Sequence, residues 1–123
     1  MQIVHITSDA SGNATNMTVT PTAGAVSVGQ NSSNEWKITI KQATLNTSLD
    51  FQITAAQGTG SNGTIKSMSF SDSQFTFTGL NSAVIKVTDA FSSAGASTFS
   101  FGLQSGAAAA VIMVDPQIEN DQS

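Results

Sequence analysis

Strict alternation of apolar and polar residues is the feature that most restricts what this chain can fold into. In the segment EWKITIK, residues 35–41, Trp36, Ile38 and Ile40 alternate with charged residues and threonine. Successive side chains of a β-strand point to opposite faces, so a period of two predicts a strand with one buried and one wet face. No segment has the period of an amphipathic helix of useful length.

The same alternation recurs along the chain, with turn residues between the runs. Regular spacing of about eight or nine short strands predicts an all-β fold, an antiparallel β-sandwich of Ig-like or jelly-roll character. Asp72-Ser73 lies between two such runs and predicts a tight hairpin. The side chains predicted to form the core are Trp36, Ile38, Ile40, Leu49, Phe51, Ile53, Met68, Phe70, Phe75, Phe77, Ile85, Val87, Phe99, Phe101 and Leu103.

The segment AAAAVIMV, residues 107–114, supports two interpretations. Alanine is the best helix former, so a short buried helix that ends before Pro116 is one of them. The β-branched residues Val111, Ile112 and Val114 favour a strand instead. We expect the strand, and because both of its faces are apolar we expect it to be covered on both sides.

The chain ends in an acidic, amide-rich segment, and we therefore predict one sandwich domain over residues 1–114 and a tail over 115–123. Pro116 cannot donate a hydrogen bond to a sheet, so it should end strand pairing. Ile118 would then hold the chain against the domain once more, and the charges would keep the end in solvent.

The tail also supports a metal-binding hypothesis. Asp115, Glu119, Asn120 and Asp121 offer the hard oxygen ligands that calcium prefers. Under this alternative the protein is a small calcium-dependent carbohydrate-binding module, a lectin with a glycan partner. Otherwise we expect no cofactor.

Composition excludes several classes of partner. The chain has four lysines, no arginine and a net charge of −4, so it has no basic surface for nucleic acid or anionic membrane. There are no cysteines for disulfides or thiolate metal sites. The opening MQIVHITSDA lacks the basic and apolar regions of a signal peptide, which predicts a cytoplasmic location. Export without a signal peptide, or a place in a virion or surface assembly, remains open.

Candidate catalytic residues are few, and we predict that the protein is not an enzyme. His5 is the only histidine, and no G-x-S-x-G motif accompanies it, so we interpret it as a strand residue. We place Asp50, Asp72 and Asp89 on wet strand faces or in turns rather than in a pair of catalytic carboxylates.

The motif Asp115-Pro116-x-Ile118, which follows an apolar strand at the end of an all-β chain, resembles the terminus of PixA/AidA-type inclusion-body proteins. Those are bacterial all-β proteins made abundantly in the cytoplasm. The resemblance covers the motif and the general architecture, and it assigns no functional residues.

Two functions therefore stand as hypotheses. The first is a non-catalytic structural protein that associates with itself, as a homo-oligomer or in an inclusion, filament or virion. Its surface is rich in hydroxyls and carries little charge, and sandwich edges leave backbone groups unpaired. The second is the calcium-dependent lectin.

Overall fold

Eleven strands follow one another along the chain, and the computed structural model describes all 123 residues. The strands are β1 (Ile3–Ser8), β2 (Ala14–Thr20), β3 (Val26–Gln30), β4 (Trp36–Gln42), β5 (Leu49–Gln57), β6 (Thr64–Phe70), β7 (Phe75–Thr78), β8 (Ile85–Asp89), β9 (Gly95–Gln104), β10 (Val111–Val114) and β11 (Gln117–Gln122). The structure contains no helix of the length and apolarity that a membrane crossing requires.

The strands form two sheets packed face to face, which confirms the predicted β-sandwich. The first sheet has the order β2-β1-β5-β8-β7, and the second has the order β10-β9-β11-β4-β3, with β6 also paired to β9. Both sheets are mixed rather than purely antiparallel, because β1 runs parallel to β5 and β11 runs parallel to β4. Strands β2, β3 and β11 were not predicted. Their apolar residues are too often interrupted by Thr, Asn, Ser and Gln to give a clear alternating pattern.

The predicted core residues all lie in the interface between the sheets. Most are buried, and Trp36, Leu49, Phe70 and Phe77 are partly buried and pack against the buried cluster. Phe70 is stacked between Phe75 and Phe99, with ring centroids 5.2 and 5.1 Å apart. This stack joins the two sheets.

The turn at Asp72-Ser73 does not form the expected hairpin. It connects β6, which pairs with β9 in the second sheet, to β7, which pairs with β8 in the first. The local turn was predicted correctly, but the partners of the two strands were not. Burial of Phe70 and Phe75 against each other across the sandwich accounts for the change of sheet.

The expectation of a solvated tail is wrong for residues 117–122. Strand β11 lies inside the second sheet, parallel to β4 on one side and antiparallel to β9 on the other. Ile118 is fully buried in the core, and Asn120 is buried too. The sequence therefore continues the sandwich almost to its last residue.

Strand β10 and strand β11 together face β9 in one unbroken register. Val114 lies opposite Phe101 and Gln117 lies opposite Thr98, and Phe99 N donates to Pro116 O at 3.1 Å between them. Pro116 thus separates two strand segments without interrupting the antiparallel ladder, because its carbonyl still accepts. The donor that Pro116 lacks would face Phe99 O on the same side, so this pair makes one hydrogen bond instead of two.

The apolar segment before Pro116 is a strand, as expected, but it is not covered on both sides. Ile112 and Val114 point toward the core, whereas the side chains of Val111 and Met113 remain 47% and 49% exposed. Ala107 and Ala108 lie exposed in the loop that precedes the strand.

Candidate functional site

The four candidate calcium ligands do not converge. Along β11 the side chains alternate, so Asn120 points into the sandwich while Glu119 and Asp121 lie on the outer face. Asp115 is exposed between β10 and β11. No three His, Cys, Asp or Glu side chains lie close enough together in the structure to hold a metal ion.

Glu119 has a different partner. Its Oε1 accepts a hydrogen bond from Lys37 Nζ at 2.8 Å, across the parallel pair of β11 and β4. Both side chains are about a third exposed, so the ion pair is screened by water and contributes little to stability.

His5 lies half-buried on the outer face of β1. Its Nδ1 is 2.9 Å from Thr54 Oγ1 on the neighbouring strand β5. No carboxylate or serine joins this pair in a hydrogen-bonded array. His5 is therefore an ordinary strand residue in which one ring nitrogen has a hydrogen-bond partner.

The prediction that Asp89 lies on a wet strand face or in a turn is wrong. It is fully buried on β8, and it faces the other sheet. Ile85, Val87 and Asp89 share one face of the strand, so their spacing already carried the signal for an inward carboxyl.

A buried polar cluster surrounds this carboxyl. Asp89 Oδ1 accepts from Phe91 N at 2.8 Å and from Asn120 Nδ2 at 3.0 Å. The same Asn120 nitrogen donates to Gln74 Oε1 at 3.0 Å. Burial raises the pKa of Asp89, these two hydrogen bonds oppose the rise, and the nearby charge of Asp72 adds to it.

Two shallow grooves open on the outside of the second sheet. One has a volume of about 430 Å³ and is lined mainly by hydroxyls and amides from β6, β9 and β11. The other, of about 330 Å³, lies beside β10 and is lined partly by the turns at residues 11–14 and 34–36. Glu35 and Asp115 line both grooves. Neither groove has the apolar, enclosed character of a typical small-molecule pocket.

The outer edge of β10 is the last feature with potential for function. β10 pairs with β9 alone. No hydrogen bond from a turn, a loop or a side chain reaches the backbone of Val111, Met113 or Asp115. The sequence did not reveal this edge, because an apolar run does not specify which strands will cover it.

No family model matches the chain, and no curated protein matches it in sequence.

Proposed function

We propose that this protein is a non-catalytic structural protein whose copies associate through the open edge of β10. The observation that carries the proposal is the combination, on one strand, of unpaired backbone groups and exposed apolar side chains. An edge of this kind is a template for pairing with another chain, and natural sheets usually block it with charges, prolines or bulges. No charged residue occurs from Ser105 to Val114.

The direction of the backbone groups supports the proposal. Phe99 N donates to Pro116 O, so the residues two and four positions earlier, Val114 and Ile112, also turn their backbone groups toward β9. Val111 and Met113 then turn their N–H and C=O groups outward. The turn at Gly12 lies against Met113 O on this outer side, since a methyl group on Gly12 would overlap that oxygen. The turn must therefore move away from Met113 before a second strand can pair there.

The side chains at this edge also support association between copies. Val111 and Met113 are about half exposed, and the loop before them is rich in alanine. Clustered exposed apolar groups mark interaction surfaces more often than isolated ones do. Pairing would bury these side chains as it satisfies the outward backbone groups.

A second copy of the same strand fits this edge. In an antiparallel pair with Ile112 at the twofold axis, Val111 lies opposite Met113 of the second copy, and both residues exchange hydrogen bonds. Asp115 then lies opposite Ala109 of the second copy rather than another carboxylate. The second sheet of one copy would then continue into the second sheet of the other copy across the axis, as in an isologous dimer.

The test is sedimentation velocity over a concentration series, with Met113→Lys as the variant. We expect the wild-type protein to form dimers or larger particles and Met113→Lys to remain monomeric, since a lysine on an edge strand opposes pairing with another chain. Thr76→Lys is the matched control, because it places the same charge on β7, an exposed strand at the edge of the other sheet. A wild-type protein that is monomeric at every concentration contradicts the proposal. So does a variant that assembles as the wild type does.

A carbohydrate-binding module is the second candidate, and one observation favours it. Glu35 and Asp115 lie in a groove with Ser69, Ser71 and Thr98, and carboxylates beside hydroxyls are suitable partners for sugar hydroxyls. Binding to a glycan array that is lost in Asp115→Asn and kept in Asp121→Asn would support this function. Absence of any retained glycan would dismiss it.

A further inference from the structure

We infer that Asp89 is protonated in the folded protein and that its carboxyl group and the Asn120 amide form a doubly hydrogen-bonded pair, a proton-dependent clasp between the two sheets. This inference is independent of the proposed self-association, because it concerns the interior of a single copy.

The two residues join opposite layers of the sandwich. Asp89 lies on β8 of the first sheet, and Asn120 lies on β11 of the second. Their exposed fractions are 0% and 1%. Asn120 Nδ2 donates to Asp89 Oδ1 at 3.0 Å, so one of the two hydrogen bonds of the pair is already in place.

The other half of the pair consists of two buried oxygens without a donor. Asp89 Oδ2 and Asn120 Oδ1 are both fully shielded from water, and neither has a hydrogen-bond partner. Leaving a buried polar atom unpaired is costly, and the cost is greater for a charged one. A single proton on Asp89 Oδ2 that is donated to Asn120 Oδ1 satisfies both atoms at once.

The orientation of the Asn120 amide is fixed by its neighbours. Its nitrogen lies near two acceptors, Asp89 Oδ1 and Gln74 Oε1, each at 3.0 Å. Exchanging the nitrogen and oxygen would place an oxygen against both acceptors. The amide oxygen therefore stays on the side where it lacks a donor.

No positive charge balances an ionised Asp89. On the turn before β7, Asp72 raises the pKa of Asp89 by its like charge, in addition to the larger effect of burial. On β5, Asp50 lies on the outer face and pairs with Lys86. On β11, Asp121 faces outward. Neither β7 nor the segment 90–93 carries a charged residue.

The sign of the pH dependence follows from this protonation. With its pKa raised above the ordinary 3.8, Asp89 in the folded state holds its proton over a range where the unfolded state has lost it. Stability from this group is therefore complete below 3.8 and is lost as the pH rises through the folded-state pKa. A rise in pH through that value weakens the contact between the sheets.

The test compares Asp89→Asn with the wild type by thermal unfolding from acidic to alkaline pH. Asparagine can accept from Phe91 N and Asn120 Nδ2 and donate to Asn120 Oδ1, so it reproduces the protonated carboxyl. We expect the midpoint of Asp89→Asn to equal or exceed that of the wild type at alkaline pH, with the advantage shrinking as the pH falls. Asp50→Asn is the control and should behave in the opposite way, because its exposed carboxylate is stabilised in the folded state by Thr88 and Lys86.

A direct measurement keeps the inference falsifiable if the variant does not fold. The ¹³C chemical shift of the Asp89 carboxyl in the wild-type protein should be that of a neutral acid at pH values well above 3.8. An ionised shift throughout that range overturns the inference. Equal destabilisation of Asp89→Asn at every pH also overturns it, because that result indicates an Asp89 pKa that is the same in the folded and unfolded states.

Discussion

Replacing Ile118 with alanine tests whether the end of the chain is an interior strand. Ile118 is fully buried, lies opposite Ile38 on β4 and Ser97 on β9, and belongs to the main core cluster. Removing a buried isoleucine side chain down to alanine costs roughly 2–5 kcal/mol, because transfer energy is lost and a cavity remains. A residue in a solvated tail would change stability by less than about 0.5 kcal/mol.

The assay is urea unfolding followed by the fluorescence of Trp36, the only tryptophan. The protein should be dilute, so that self-association does not add to the measured stability. Ile118→Val removes one methylene group and should cost roughly 0.5–1.5 kcal/mol. Asp121→Asn changes the outer face of the same strand and serves as the control, with an expected effect below about 0.5 kcal/mol.

A free energy of unfolding for Ile118→Ala within about 0.5 kcal/mol of the wild type would refute the placement of β11 in the sheet. Should Ile118→Ala be too unstable to measure, the smaller loss in Ile118→Val decides the question, because a solvated tail predicts no loss for either variant.

Three further predictions follow from the same structure. Gly12→Ala should lower the unfolding midpoint, because Gly12 has φ +88 and its added methyl group would overlap Met113 O, whereas Gly106→Ala should be nearly neutral because nothing lies near it. Hydrogen bonding to Thr88 and the charge of Lys86 lower the pKa of Asp50, so its stabilising contribution should be present above 3.8 and be lost as the pH falls through the folded-state value, a loss absent from Asp50→Asn. Calcium at millimolar concentration should leave the melting temperature unchanged, and a rise that chelation reverses would revive the metal-dependent lectin hypothesis.

Alternation of residues was sufficient to predict the sandwich and its core. Ile38 and Ile40, like Phe51 and Ile53, point inward because a strand with one wet face must bury the other. The same alternation, continued from Ile85 and Val87, places Asp89 on the buried face. We nevertheless predicted that Asp89 is exposed to solvent, because aspartate is usually charged. Charge misled the prediction here, because hydrogen bonds and a raised pKa make the burial of a carboxyl feasible.

The role of β11 could not be read from the sequence. Its partner β4 lies some eighty residues earlier, and parallel pairing between distant segments leaves no local pattern. Asn120 occupies an inward position where an apolar residue would have revealed the strand. Asn120 donates its hydrogen bonds to Asp89 and Gln74, and this polar cluster forms only once both sheets are assembled.

The open edge of β10 was equally hidden. Val111 and Met113 are as apolar as core residues, and only the three-dimensional arrangement shows that their side chains stay half exposed and that no second strand pairs with β10. The candidate grooves likewise combine Glu35 and Asp115 with hydroxyls from separate strands. Surface sites of this kind depend on strand order, which composition and periodicity do not specify.

Hydrogen exchange at the backbone amides of Val111 and Met113, measured by NMR as a function of protein concentration, tests the association most directly. If copies pair through β10, the exchange of both amides slows as the concentration rises, while the amides on the exposed edge of β7 exchange at a constant rate. Unchanged exchange at Val111 and Met113, in a sample where larger particles form, would show that the copies associate elsewhere. Unchanged exchange without any larger particles would contradict self-association itself.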